Sequence, residues 1–284
     1  MNDASIIIPA YNEETGIAAI LDKLTLMGDQ YEVIVVDDGS EDKTAGVVKN
    51  YLNIKLIRHD HNLGYGAALK TGIKAATNDT IAIIDADGTY PDGQIPDLIK
   101  VMKEGDYAMV VGARTGKNVK IPLIRKPAKW FINKLANYLV GTRIPDLNSG
   151  LRVMKKSALD SFIHILPDGF SFTTTITLAM LTNGYAVKYV PINYFRREGK
   201  SKIRPVRDTL NFIQLIIRTV LYFNPLKIFV PLSICLVFIA FIVLIVSQLY
   251  LGRAMDVTFG VILMTAVMVL AIGMLADLID KRLQ

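Results

Sequence analysis

Two carboxylates one residue apart, Asp85 and Asp87, close the apolar run in "IAIIDADGTYPDG", Ile81 to Gly93. Acidic side chains are seldom buried without a partner, so such a pair at the end of a strand that reads as buried calls for a cation. An Asp-x-Asp in that position can present oxygens to Mg²⁺ or Mn²⁺ and leave other coordination positions for water and phosphate oxygens. A metal held there acts as a Lewis acid and neutralises charge on a departing phosphate. The alternative is an Asp that caps the following turn. "VVDDGSEDKT" poses the same question one strand earlier. A helix-capping turn accounts for Ser40 and Asp42 but leaves the consecutive Asp37 and Asp38 over, with Asp38 free to hydrogen-bond a base or ribose. "HNLGYGAALKTG" opens a helix at Gly64 and Gly66. It lacks the Gly-Lys-Ser/Thr of a P-loop and does not follow the first strand as a dinucleotide fingerprint does, so phosphate approach and a tight loop both remain open. His59 and His61 flank Asp60, and alternation along an extended chain argues against a shared metal.

These residues need a scaffold, and the N-terminal portion spells one. "SIIIP", "EVIVVDD", "IKLIR", "TIAIIDAD" and "AMVVG" alternate with helical patterns that start near Thr15, Lys43, Tyr65 and Gln94. Short β-branched runs separated by helices predict βαβ units and an α/β fold whose mainly parallel sheet is covered on both faces. Ligands of such sheets bind at the carboxyl ends of the strands. Asn12-Glu13, Asp37-Asp38 and Asp85-Asp87 all fall at those ends and are expected to converge on one crevice.

The chain has 284 residues, 51% of them hydrophobic, and a net charge of +6. Leu226 to Tyr250 carries one charge, Lys227, and Val257 to Ala276 carries none. Each run reaches the ~20 residues that a membrane-spanning helix requires. A two-helix transmembrane hairpin is expected over residues 224–284, with spans at about 226–250 and 257–279, following a cytoplasmic catalytic domain over 1–223. The start "MNDASIIIPAYNEE" lacks a signal-peptide pattern. "RREGKSKIRPVR" before the hairpin and "DKRLQ" after it outweigh the connecting "LGRAMD" in basic residues, which places both termini in the cytoplasm. The positive charge then reads as attraction to an anionic membrane rather than to nucleic acid. Two amphipathic patterns suit interfacial helices at about 121–140 and 204–223. In the first, Ala128, Phe131, Leu135 and Tyr138 oppose Lys126, Lys129, Asn133 and Asn137. In the second, Leu210, Ile213, Ile217 and Val220 oppose Arg207, Asn211, Gln214 and Arg218. The alternative for each is an ordinary helix packed on the sheet domain. The single cysteine, Cys235, excludes disulfides and thiolate metal sites.

Taken in order, "SIIIPAYNEE", "VIVVDDGSEDKT", "NLGYGAALKTG", "DADGTYP", "VVGAR" and "DLNSGLRVMKK" resemble the motifs of family 2 glycosyltransferases with the GT-A fold. "RREGKSKI" ahead of the apolar spans resembles the dolichol-phosphate mannose synthase and polyprenyl-phosphate glycosyltransferase branch. The resemblance implies that Pro9, Tyr11, Glu13, Asp38 and Asp85 hold a nucleotide-sugar donor, and that Asp85 and Asp87 bind Mg²⁺ or Mn²⁺. It further implies that Arg114, Arg125, Asp146, Ser149, Arg197, Ser201 and Lys202 serve the phosphate of a polyprenyl acceptor. Asp87, Arg114 and Arg125 are the expected catalytic groups. Thr89 stands where some relatives place a Gln metal ligand.

The residues favour such an acceptor on their own terms. Transfer to a sugar hydroxyl needs a general base, yet Gly169 to Tyr185 contains no acid, leaving Asp146 and Asp168 as the candidates. A phosphate monoester is already ionised and needs positive charge instead, which arginine supplies in paired hydrogen bonds. An inverting, membrane-anchored enzyme is the expected function, and a homo-oligomer is compatible with it. A processive polysaccharide synthase would bring a Gln-x-x-Arg-Trp element, whereas the one tryptophan, Trp130, follows "RKPAK". A non-catalytic membrane scaffold is the remaining alternative, and the intact Asp pair speaks against it.

Overall fold

The β-branched runs form the strands that their composition predicts. In the computed structural model, which describes residues 3–115, 134–138, 140–195, 205–252 and 255–283, these are β1 (Ala4–Ala10), β2 (Tyr31–Asp37), β3 (Ile54–Arg58), β4 (Thr80–Ile83) and β5 (Met109–Ala113). The helices between them are α1 (Ile17–Leu26), α2 (Thr44–Val48), α3 (Tyr65–Ala75) and α4 (Ile95–Glu104). Two further strands, β6 (Arg152–Lys155) and β7 (Val187–Pro191), complete a seven-stranded sheet of order β3-β2-β1-β4-β6-β5-β7. The sheet is parallel except at β6, which runs antiparallel to both β4 and β5. The order reverses between β1 and β4, and that switch point opens a crevice at the carboxyl ends of the strands.

Alternation along the strands sends successive side chains to opposite faces. Ile6, Ile8, Val33, Val35 and Ala82 pack with Ile17, Leu21, Leu98 and Met102 of α1 and α4. Ile7, Ile34, Val36, Ile81 and Ile83 pack on the other face with Leu69 and Ile73 of α3 and with Phe172 and Ile176 of α6 (Phe172–Thr182). Pro9 is buried within β1. Its missing N–H costs nothing there, because the carbonyl of Ile7 turns toward β4 and that ladder ends at Ile7 and Ile83, two residues before Pro9.

After α5 (Lys156–Asp160) and α6 comes α7 (Pro205–Phe223). Its Ile216 is buried in a small apolar cluster with Leu178 of α6, Ala136, Val140, Ile144 and Leu147, while Gln214, Ile217, Arg218 and Tyr222 are exposed. One face of the second amphipathic helix is therefore docked on the domain and the other is open. Residues 134–138 and 140 are helical, and the rest of the first expected interfacial helix, 121–133 and 139, lies outside the described residues. Two C-terminal helices follow, α8 (Leu226–Leu251) and α9 (Asp256–Leu283), and their apolar stretches Leu226–Tyr250 and Asp256–Ile279 are long enough to cross a membrane. They pack as a hairpin through small residues: the Ser233 hydroxyl donates to the Ala266 carbonyl at 2.8 Å, and Gly273 lies against Phe229. Ile228, near the start of α8, joins the cluster around Ile216.

A Cβ on Gly72 would meet Ile7 Cγ2 at 2.4 Å, so Gly72→Val is expected to overpack the α3–sheet contact and cost about 1–3 kcal/mol, read as a lowered Tm. Gly46, exposed in α2 with nothing within 4 Å, provides the control. Gly46→Ala should raise stability by about 0.5–1 kcal/mol.

Candidate active site

The loops after β1 and β2 are tied to each other before they meet any ligand. Asn12 adopts φ 54°, a left-handed conformation that Asn tolerates. Its N–H donates to Ser40 Oγ at 3.0 Å and its Oδ1 accepts from the Glu41 N–H at 3.0 Å. The Glu13 N–H donates to Thr44 Oγ1 at 2.9 Å. At the end of β3, Arg58 pairs with Asp37 at 3.1 Å and donates to the Ser40 carbonyl at 2.9 Å. Between these loops lies a polar cavity of about 540 Å³, lined in part by Tyr11, Ser40, Asp42, Arg58, Asp60 and His61. It sits over the ends of β1, β2 and β3.

Asp38 lies beneath this cavity rather than in it. The carboxylate is buried, its Oδ1 accepting from His59 Nδ1 at 2.7 Å and the Leu63 N–H at 3.0 Å, its Oδ2 from the Gly64 N–H at 2.8 Å. Both oxygens hold the segment that leads into α3, so Asp38 builds the loop at the end of β2. The other ring nitrogen of His59 meets Thr71 Oγ1 at 2.9 Å, so this histidine is structural.

Gly64 and Gly66 are explained by protein rather than by phosphate. A Cβ on Gly64, at φ 109°, would lie 2.4 Å from the Asp168 carbonyl, and one on Gly66 would lie 2.1 Å from the Pro167 carbonyl. The Ala67 N–H donates to the Asp168 carbonyl at 3.0 Å, and Lys70 pairs with the Asp168 carboxylate at 2.8 Å. Close docking of α3 on this loop aims Tyr65, between the two glycines, at the crevice. Its hydroxyl donates to Asp85 Oδ1 at 2.8 Å, and its ring stacks on Phe170 with centroids 5.6 Å apart.

Asp85 and Asp87 follow β4 at the switch point. Burial first, and the charge of Asp87 second, push the Asp85 carboxyl up to about 6 against the opposing pull of Tyr65, Arg114 and Arg152. Asp87 Oδ1 accepts from both the N–H (3.1 Å) and the hydroxyl (2.6 Å) of Thr89. Buried Thr89 thus orients Asp87 and spends its own hydroxyl in doing so. Gly150 faces Asp85 so closely that a Cβ would fall 2.2 Å from Oδ2. The Gly150 N–H donates to Tyr90 Oη at 2.7 Å, and the Tyr90 ring meets Tyr194 edge-on at 5.2 Å.

On the far side of Gly150, Arg114 makes a paired bond to Asp146, Nε to Oδ2 at 2.7 Å and Nη2 to Oδ1 at 2.8 Å, and lies 5.3 Å from the Tyr194 ring centroid. Burial opposes its charge, but the hydrogen bonds to Asp146 outweigh it and raise the guanidinium pKa above its ordinary value. Ser149 is buried and its hydroxyl donates to the Gly112 carbonyl at 2.5 Å, which shapes the turn. Beneath the turn, fully buried Arg152 donates to the carbonyls of Ser149 and Thr173 and to Thr177 Oγ1. The structure therefore brings Asp85, Asp87, Arg114 and Asp146 around Gly150 and sets Tyr11 and Glu13 at the neighbouring strand ends. Arg125, Arg197, Ser201 and Lys202 lie outside the described residues. Sequence reasoning missed Tyr65, Tyr90, Gly150, Arg152 and Tyr194, and the only signal for Tyr65 was its place between two glycines.

A mainly parallel sheet with an inserted antiparallel strand and carboxylates at its switch point is the arrangement of a GT-A glycosyltransferase. The description "Glycosyl transferase family 2" matches residues 5–162, and the chain belongs to that family. A dolichyl-phosphate hexose transferase of Haloferax volcanii is 27% identical over 205 residues, covering 72% of this chain and 88% of the relative. An undecaprenyl-phosphate 4-deoxy-4-formamido-L-arabinose transferase of Enterobacter sp. (strain 638) is 27% identical over 288 residues, covering 96% and 84%. Among solved structures, glucosyl-3-phosphoglycerate synthase of Mycobacterium tuberculosis with Mn²⁺, UDP-glucose and phosphoglyceric acid superposes with a TM-score of 0.60 at 20% identity, covering 76% of this chain and 79% of that one. That likeness is one of fold.

Two outcomes are expected. With a folded-state pKa of about 6 against an ordinary value near ~4, metal-free Asp85 binds its proton more tightly when folded. The stability it confers is complete below about pH 4 and is lost as the pH rises through about 6, a change on the order of 3 kcal/mol. Unfolding midpoints of the metal-free protein across this range should show the decline, and Asp85→Asn should flatten it. Removing one partner of the buried Arg114–Asp146 pair leaves the other charge uncompensated, so Asp146→Ala should cost about 3 kcal/mol or more in denaturant unfolding.

Proposed function

We propose that this protein transfers a sugar from a nucleotide-sugar donor to a polyprenyl phosphate at a membrane surface. The observation that carries the reading is the carboxylate pair at the switch point, set across Gly150 from an arginine held in a paired bond. One side suits a cation and a diphosphate, and the other suits an incoming phosphate. The polar cavity over β1, β2 and β3 is the place for the nucleotide, with Tyr11 and Glu13 at its edge.

The donor set fits a divalent cation. Two oxygen-bearing groups crowd one strand end, and the raised pKa of Asp85 marks a carboxylate short of positive charge. Asp85 and Asp87 would hold Mg²⁺ or Mn²⁺, which when bound neutralises the leaving diphosphate. The chain's own residues do the rest. Tyr65 fixes one oxygen of Asp85 and Thr89 fixes one of Asp87, so neither carboxylate has to reorganise when the donor enters. Arg114 is pre-set by Asp146 and by the Tyr194 ring, and presents a fixed positive charge to the acceptor phosphate, lowering its repulsion from the donor.

No general base is required, since the phosphate oxygen is already ionised. Both candidate bases are occupied, Asp146 by Arg114 and Asp168 by Lys70. Direct attack at the anomeric carbon, opposite the departing diphosphate, gives inversion. Arg125, Arg197, Ser201 and Lys202 are assigned to the acceptor phosphate on the resemblance alone. The α8–α9 hairpin would anchor the chain, with the catalytic domain and both termini cytoplasmic by the bias in basic residues. The exposed faces of the helix at 134–138 and of α7 would lie at the interface.

Purified full-length protein is expected to transfer sugar from one member of a panel of UDP- and GDP-sugars into a lipid-extractable, acid-labile product, and EDTA should abolish the transfer. Asp87→Ala should lower the rate by on the order of 10²-fold or more. Product formation at the unaltered rate in EDTA would remove the metal from the reading. A product formed only with a hydroxyl acceptor would overturn the polyprenyl-phosphate reading.

A further inference from the structure

Phe170 is 82% exposed, yet its ring is not loose. It stacks on Tyr65 with an interplanar angle of 16°, so one face is covered by protein and the other is open. The Tyr65 hydroxyl is in turn bonded to Asp85. The loop that carries Phe170 is clamped to the start of α3 through the Ala67–Asp168 hydrogen bond, the Lys70–Asp168 pair and the close backbone approach at Gly64 and Gly66. A flat apolar surface is thereby held rigidly beside the carboxylate pair, which is what a pre-organised contact requires.

We infer that Phe170 is the platform on which the hexosyl ring of the donor rests, and that it helps to determine which sugar is accepted. This rests on the reading of the crevice as a nucleotide-sugar site. Two flanks meet at Asp85. Tyr65 reaches it from α3, on the side of β1, β2 and the polar cavity, and Gly150 reaches it from the side of Arg114 and Tyr194. The acceptor phosphate belongs with Arg114, and its isoprenoid tail leaves on that flank. Phe170 lies on the donor flank, one ring beyond the group that positions Asp85, where the sugar attached to a metal-held diphosphate extends. The C–H face of a hexose is weakly positive and apolar, and it matches the negative face of an aromatic ring. A ring selects sugars by which hydroxyls are equatorial, because an axial hydroxyl on the stacked face lifts the sugar away.

The test uses the full chain in nanodiscs with Mn²⁺ present. UDP-glucose, UDP-galactose and GDP-mannose, together with UDP and GDP, are titrated by calorimetry into the unaltered protein and into Phe170→Ala, Phe170→Leu and Phe170→Trp. The nucleotide sugar that binds most tightly should lose about three- to tenfold in affinity in Phe170→Ala, lose nearly as much in Phe170→Leu, and bind normally to Phe170→Trp. The corresponding nucleoside diphosphate should bind all four proteins alike, and the KM for polyprenyl phosphate should not move. Equal losses for the nucleotide sugar and its diphosphate would give Phe170 a purely structural role. A raised KM for the lipid alone would put the isoprenoid on the ring, and unchanged values throughout would leave the ring outside the site. Each of these three results overturns the inference while leaving the proposed function standing. Absence of nucleotide-sugar binding by folded, unaltered protein overturns the proposed function and this inference together.

Discussion

The contact on which the crevice depends is the approach of Gly150 to the Asp85 carboxylate. Only a residue without a side chain can pass there, and the turn that carries it runs from Asp146 to Gly150. Each residue of that turn except Leu147 has a side-chain or backbone bond to the crevice, the sheet or α6. Asp146 holds Arg114, Asn148 accepts from the Thr174 hydroxyl, Ser149 ties to Gly112 and Gly150 donates to Tyr90. One five-residue segment therefore fixes the distance between the arginine and the carboxylate pair. The antiparallel strand β6 exists in the sheet to deliver it. A strand running parallel to β4 and β5 would bring its start to the opposite edge.

Charge is managed around this turn in an uneven way. Arg114 is matched by a carboxylate in ideal geometry, whereas buried Arg152 meets only neutral acceptors and a methionine sulfur. Burial lowers the pKa of Arg152, and its nearest compensation is electrostatic, from tyrosines and from Asp146. Its field falls on Asp85 as well, where it favours the ionised carboxylate. The threonines at the start of α6 make this tolerable. The Thr173 carbonyl and the Thr177 hydroxyl meet the guanidinium from a helix that holds no charged residue, and they satisfy it without adding a second charge to the core.

The five β-branched runs and the helices between them were legible in the sequence, as were the two apolar C-terminal helices, because hydrophobic periodicity survives in a fold of this class. Strands β6 and β7 were not. "RVMK" is short and bears an arginine that reads as surface until the threonines that bury it are seen. The carboxylates at the strand ends were legible as a group, yet their division of labour was not. Asp38 and Asp85 stand in similar positions, and only the backbone N–H groups of Leu63 and Gly64 reveal that Asp38 also builds the loop into α3. Thr89 likewise reads as a missing metal ligand until its hydroxyl is found on Asp87. Gly64 and Gly66 left phosphate approach and a tight loop equally open, because close backbone approach has the same signature whichever group approaches.

Leu147, the turn residue that faces away from the crevice, is buried in the cluster that also receives Ile216 of α7 and Ile228 of α8. The residue beside the arginine's partner is thus in the same packed unit as the base of the apolar hairpin. A flexible tether would let the crevice wander over a range of heights and tilts above a bilayer. This packing gives it one. If the hairpin spans a bilayer as proposed, a lipid acceptor whose phosphate floats at a fixed depth would meet a site whose depth is equally fixed, and encounter would reduce to diffusion in a plane.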